Sequence, residues 1–293
     1  MGRILLLVVL VALLPSLVSA WGRDGHQMIG AMAESRLTPE TLAQVRQLLG
    51  PGETVSSVST WADVVRPDRP ATFPWHYVDF PISEDKYEPR RCVNGDCVNE
   101  IIQRQVWLLS DQNTTETLTR SESLKFLIHF IQDQSQPLHN ANEGDEGGNR
   151  KKVVFYGRDT NLHSVWDTRM IEQELELKRM SPQVLAEELN AEIRPEQVRI
   201  WTRGGPDDWT EDSHRVAIEF VYPGWSEVMG DDYYFKNFGT VRVQLQKGAV
   251  RLAHVLNQIF DKNYDGVPVI RRAVEVSGDA PFAESGAFQQ LRK

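Results

Sequence analysis

Apolar positions along this chain recur at helical spacing far more often than they alternate. The stretch 124–131 is apolar almost all round (Leu124, Phe126, Leu127, Ile128, Phe130, Ile131), which predicts a helix buried on every side. Residues 240–260 place Val243, Leu245, Val250, Leu252, Leu256 and Ile259 at mixed helical spacing and predict a long core helix. Shorter helices are expected over 26–37, over 60–66 and over 97–109. Another runs from the Thr38 N-cap and first-turn Pro39 to Leu49, where Gly50-Pro51 stops it. Two more start at Ser181-Pro182, reaching about Leu189, and at Asp207-Asp208-Trp209, running through His214 to Val221.

Few stretches read otherwise. Residues 153–156 suit one strand of a small hairpin, and Trp75-His76-Tyr77-Val78-Asp79 has the aromatic and β-branched character of a short extended piece. Pro67, Pro70 and Pro74 mark a loop before it. No internal repeat or Gly/Ser linker divides the chain. The expected architecture is all-α: one mainly helical domain over 21–267 with a small β-hairpin, followed by a loosely attached tail, 268–293, containing Gly278, Pro281 and Gly286.

Residues 1–20 read as a secretory signal, with Arg3 at its start, an apolar run over 4–14 and Val18-Ser19-Ala20 before the cleavage point. The run is too short to span a bilayer, and no later stretch is apolar enough, so the mature protein is expected to be soluble and secreted or periplasmic. Loss of Arg3 takes the formal net charge from −9 to −10. That balance lacks the basic footprint of a duplex-DNA binder, so any nucleic acid must be held locally, by metal and a few arginines or aromatic rings. The two cysteines, Cys92 and Cys97, flank Asn94-Gly95 and in an exported chain read as one small disulfide loop; a metal role is the weaker reading, as no second cysteine pair completes a site. Asn113-Thr114-Thr115 is a glycosylation sequon.

The chemistry is concentrated in the middle of the chain. His129 and Asp133 stand four residues apart on the buried helix and leave the same face. His163 and Asp167 repeat that spacing on a second expected helix, and His139 follows Pro137 just after the first one ends. A single His–Asp pair is ordinarily a satisfied hydrogen bond in a core. Two pairs plus a third histidine are harder to explain so, because clustered nitrogen and oxygen donors without free cysteines are what zinc uses in catalytic sites. His214 and His254 sit on expected helices, where a core or surface role fits them better.

Motifs spread over nearly the whole mature chain carry a resemblance: Trp21-Gly22-x-x-Gly25-His26, Trp61-Ala62-Asp63-x-x-Arg66, Trp75-His76-Tyr77-Val78-Asp79, His129-x-x-x-Asp133-x-x-Gln136-Pro137-Leu138-His139, Gly147-Gly148-Asn149 and Asn161-Leu162-His163-x-x-Trp166-Asp167. The sequence resembles the zinc-dependent single-strand nucleases of fungi and plants, the nuclease S-one and P-one type. The resemblance implies the fold those enzymes share with zinc-dependent phospholipase C. It also implies three Zn²⁺ ions on nine residues. Asp63, His76, His129 and Asp133 would hold the first, and His139, His163 and Asp167 the second. The third would sit on His26, on Asp133 as a bridge, and on the free amine and carbonyl of Trp21, which together close a five-membered chelate. Three Zn²⁺ against three carboxylates leave a pocket of roughly +3, attractive to phosphate.

The same resemblance gives Arg66 a catalytic role beside Asp63, neutralising charge on the phosphorus oxygens. It makes Tyr77, Asp79 and Asn149 a base pocket; many family members carry Phe where this chain has Tyr77. The implied activity is hydrolysis of single-stranded DNA and RNA to 5′-phosphorylated products, with 3′-nucleotides as further substrates, by a monomer that engages no membrane. Two alternatives remain at this point: a zinc-dependent phospholipase C-type phosphodiesterase, which has no use for an aromatic–Asp base pocket, and a non-enzymatic zinc protein, which has no use for Arg66.

Overall fold

A computed structural model describes residues 21–110 and 119–266. The expected signal, the Asn113 sequon and the expected tail from 268 onward lie outside the described residues. The chain folds around α6, Arg120–Gln134, opened by a capping box in which Thr119 and Glu122 satisfy each other's backbone N–H groups. From Phe126 to Gln134 every α6 side chain is buried, as an all-round apolar helix requires. Helices α1 (Arg23–Glu34), α2 (Pro39–Leu49), α3 (Val55–Val58), α4 (Trp61–Val65) and α5 (Val98–Ser110) surround it. The last helix of the described chain, α12, covers Asp231–Phe260 and packs on α1, α2, α5 and α6. At 30 residues it is about 45 Å long.

Between α6 and α12 lie a hairpin, β1 (Lys152–Phe155) and β2 (Arg158–Asn161), and helices α7 (Leu162–Ser164), α8 (Met170–Lys178), α9 (Pro182–Glu192), α10 (Pro195–Trp201) and α11 (Pro206–Val216). Tyr156 and Gly157, at φ 48° and 76°, make the two-residue hairpin turn that matches strand twist. A third strand, β3 (Val228–Met229), joins β1 in parallel. The all-α expectation holds, with a three-stranded sheet in place of a bare hairpin.

Several boundaries differ from the sequence expectations. The proline-marked loop is instead a 3-10 turn, Pro70–His76, because proline's fixed φ suits the start of such a turn. Extended backbone therefore begins at Tyr77 rather than at Trp75. Helix α12 starts nine residues earlier than expected, since Asp231 and Asp232 favour its positive end. Helices α3, α8 and α10 were not expected: α3 is one turn long, α8 is exposed over its last turn, and α10 has no buried residue. The disulfide Cys92–Cys97 forms as expected.

Candidate metal centre and nucleotide cleft

Helix α6 presents His129 and Asp133 on one buried face, and each is 0% exposed. His26 arrives from the first turn of α1, Asp63 from α4, His76 from the end of the 3-10 turn, and His139 from a second 3-10 turn, Pro137–His139. His163 sits on α7, and Asp167 on a π-helical turn, Val165–Arg169, that joins α7 to α8. That extra residue per turn is where the single helix expected from sequence departs from regular geometry, and such bulges gather at functional sites. Asp167 Oδ2 nevertheless comes 3.1 Å from His163 Nε2.

Asp133 is the centre of the arrangement. Its Oδ2 lies 2.9 Å from His76 Nδ1 and 3.1 Å from His129 Nε2, and its Oδ1 lies 3.3 Å from His26 Nε2. Asp63 Oδ1 is 3.8 Å from both His76 Nδ1 and His129 Nε2. Three sets of donor atoms, each within 4.8 Å of one another, result: His26, His129 and Asp133; Asp63, His76 and His129; His139, His163 and Asp167. Trp21 lies beside them, 0% exposed, its indole Nε1 donating to Gln132 O and to Ser135 Oγ.

Outer contacts fix which nitrogen four of the five clustered histidines offer. His129 Nδ1 faces Ser59 O, His139 Nδ1 faces His76 O and His163 Nδ1 faces Gly147 O, each at 2.7 Å. A carbonyl only accepts, so each Nδ1 carries a hydrogen, and Nε2 is the nitrogen left to face a cation. His26 Nδ1 donates to Gln132 Oε1, since the Gln132 amide nitrogen is already given to Ser59 Oγ. Gln136 donates to Asp167. His26 Nε2 and His163 Nε2 are buried without a well-formed hydrogen bond. Lone pairs aimed together at buried carboxylates, with no thiolate among them, suit a borderline cation such as zinc.

The electrostatics agree. Burial pulls the His129 imidazole down, but Asp133 and Asp63 outweigh it and raise its pKa. Asp133 is held well below the usual carboxylate range: burial raises it, and His129 with the other histidines overrides that. The two carboxylates thus call for positive charge at this spot. Burial pushes His139 down to about 3, leaving it a neutral donor at physiological pH.

A cavity of about 420 Å³ opens beside the cluster, lined by Arg66, His76, Tyr77, Asp79, Asn149 and their neighbours. Every residue assigned to the cleft by resemblance therefore faces one space, next to His139 and His163. Arg66 Nη1 is 3.6 Å from Asp63 Oδ1. Asp79 accepts a hydrogen bond from Asn142 Nδ2. The cavity also contains Phe73, Asn142 and Glu146, which the sequence reading did not assign. The polar run Asn142-Glu143-Gly144-Asp145 ahead of the glycine pair was the one available signal for Asn142; Phe73 had none. His214 and His254 stay out of the cluster: His214 donates to Asn140 O and stacks on Phe80, and His254 meets Tyr264.

Buried nitrogen and oxygen donors grouped beside an open cleft give this helical protein sites that could hold metal ions next to a substrate-sized space. Residues 21–261 match the family described as S1/P1 Nuclease. Endonuclease 4 of Arabidopsis thaliana is 34% identical, over 82% of this chain and 89% of that protein. Nuclease S1 of Aspergillus oryzae is 31% identical over 88% and 98%, and Nuclease P1 of Penicillium citrinum 28% over 82% and 97%. The chain belongs to the S1/P1 nuclease family, and it is a nuclease.

Proposed function

We propose that this nuclease is a three-zinc enzyme that hydrolyses single-stranded DNA and RNA to 5′-phosphorylated products and removes phosphate from 3′-nucleotides. The observation that carries the reading is the junction of two of the donor sets with the cleft: His76 of one, and His139 and His163 of the other, also line the cavity, and the third set adjoins them through His129. Asp63, His76, His129 and Asp133 would hold one ion, His139, His163 and Asp167 a second, and Trp21, His26 and Asp133 a third. Bound zinc would supply Lewis acidity and lower the pKa of water enough for attack near neutral pH.

The chain's own groups do the rest. Arg66 offers a planar fork of donors to the non-bridging oxygens as charge grows on them, and Asp63 holds its guanidinium in reach. Tyr77 is 37% exposed in the cleft, so a base can lie on its ring. Asp79 keeps one oxygen for hydrogen bonds from the base edge, the other being engaged by Asn142. Asn149 donates its Nδ2 to Glu146 O and retains its carbonyl oxygen. A base stacked this way must be unpaired, which selects single strands.

The Cys92–Cys97 disulfide suits an oxidising compartment, in keeping with an exported monomer whose mature domain begins at Trp21 and ends near 267. Among the described residues no helix is long and apolar enough to cross a membrane. The test is metal analysis of the mature protein alongside digestion of a single-stranded oligonucleotide, with phosphatidylcholine as the competing substrate. Three zincs per chain and 5′-phosphate mononucleotides are expected. Mainly 3′-phosphates would overturn the polarity, and cleavage of the lipid alone would favour the phospholipase reading.

A further inference from the structure

Phe73 has no evident structural reason to be where it is. The 3-10 turn that carries it buries Thr72, Trp75 and His76, yet Phe73 itself is 52% exposed. A phenyl ring left half in water forgoes much of the transfer free energy that burial would give it. Its two ring contacts are both with residues of the cleft. The Arg66 guanidinium carbon lies 5.4 Å from its centroid, and the Tyr77 ring meets it edge-on at 6.1 Å and 79°. Phe73 also lines the same cavity as Tyr77, Asp79 and Arg66.

We propose that Phe73 is a second stacking platform, which takes the nucleotide neighbouring the one held on Tyr77; the inference rests on the base-pocket reading of Tyr77 given above. Aromatic rings bind bases of any sequence by their faces, and an exposed ring beside an anion-binding arginine is the usual composition of a single-strand groove. The angle between the rings adds a constraint. Successive bases of a duplex lie parallel, whereas two bases lying on Tyr77 and Phe73 must be turned nearly at right angles to each other. A single strand can splay in this way. A duplex cannot do so without giving up its pairing and stacking, so the two rings together reject paired substrates more strongly than one ring alone. Arg66, set between Asp63 and the face of Phe73, then meets the phosphate linking the two splayed nucleosides.

The experiment compares a dinucleoside monophosphate, which spans both rings, with a 3′-mononucleotide, which needs Tyr77 alone. Wild type, Phe73→Ala and Phe73→Trp are assayed on both substrates, with zinc content and thermal melting recorded for each protein. The ratio of kcat/KM for the dinucleotide to that for the mononucleotide should fall about tenfold in Phe73→Ala and be kept in Phe73→Trp, where the stacking surface is restored. Equal losses on both substrates in Phe73→Ala would mean that the ring only holds Arg66, and no loss on either would mean that it touches no substrate; either result overturns the proposal. A wild type that cleaves the dinucleotide normally while Tyr77→Ala is unimpaired would instead sink the base pocket beneath it, a separate outcome that the same plate of assays reports.

Discussion

The Trp21 indole donates to the backbone carbonyl of Gln132 at 3.1 Å, and the Gln132 side chain in turn receives His26 Nδ1 at 2.7 Å. One residue of α6 thus fixes both Trp21 and the histidine five positions on. The next peptide is held as well, with Gly22 N donating to Asp167 O at 2.9 Å. Such clamping makes sense if the main chain at Trp21 itself has a task. An α-amine and its own carbonyl can chelate zinc, whereas an amide nitrogen has a delocalised lone pair and is a poor ligand. A chain that keeps even one extra methionine before Trp21 should therefore bind two zincs instead of three and lose most of its activity, and trimming should restore both. Metal analysis with oligonucleotide digestion reads this directly; three zincs and full activity in the extended chain would refute the chelate.

Tyr77→Ala removes a ring that is partly open to the cleft but packs in no core cluster. Cleavage of single strands should slow by the equivalent of about 1–3 kcal/mol of base stacking, with zinc content and melting temperature close to wild type. Normal rates on oligonucleotides would place the base elsewhere.

The parts legible in the sequence were those where one residue type decides the outcome. Thr38-Pro39 and Gly50 set both ends of α2, and the all-round apolar run set α6 at the centre. Spacing alone pointed to His129, Asp133, His139, His163 and Asp167, and the family resemblance implied the other four candidate ligands; the structure gathers eight of the nine side chains within the three donor sets, with Trp21 alongside. What could not be read was set by tertiary contacts. The partners that orient the histidines, the carbonyls of Ser59, His76 and Gly147, are backbone atoms without a residue signature. The two-residue β3 is too short to show alternation, and the π turn at Asp167 looks helical to any periodicity test. Phe73 carries no signal in the sequence, since its exposure depends on how the proline-flanked turn sits against α5 and α6.

A second charged cluster, away from the metal centre, sets an acid limit on stability. Asp212 lies 2.7 Å from Lys247 Nζ and 2.6 Å from Arg251 Nη2, two cations on α12 that are 8% and 4% exposed. Burial raises the Asp212 pKa, but Arg251 and Lys247 outweigh it and hold it below the ordinary value. A carboxylate depressed in the folded state adds stability above its unfolded pKa of about 3.9, and that stability is lost as pH falls through the folded value. Asp212→Asn leaves both cations uncompensated, and near neutral pH should cost about 2 kcal/mol, less than for a fully buried pair because 30% of the Asp212 side chain is exposed. Melting curves between neutral pH and about 3 should show the gap between the two proteins closing as acid protonates Asp212. A gap that stays constant to the lowest pH would show that the carboxylate's charge is not what stabilises α12 here.

The glycine pair offers a way to disturb one donor set and spare the others. Gly147 sits at φ +59°, its carbonyl accepts from His163 Nδ1, and a Cβ built on it would come 2.5 Å from Leu138 O, next to His139. That neighbour is backbone and cannot swing aside, so Gly147→Ala must move the loop, the Leu138 peptide or both. Gly144, in the same loop, is the natural control: it too has a left-handed φ, +75°, but nothing stands within 4 Å of its Cβ. Gly144→Ala should cost about 1 kcal/mol of conformational strain alone. Gly147→Ala should cost roughly 1–3 kcal/mol more and weaken zinc at His139, His163 and Asp167 first, because two of those three ligands hang on the displaced segments. Stepwise chelation followed by metal analysis should show one zinc leaving early from Gly147→Ala and from neither the wild type nor Gly144→Ala. If the two alanine variants melt together and release zinc in step, the close approach of Gly147 to Leu138 has no part in holding this site.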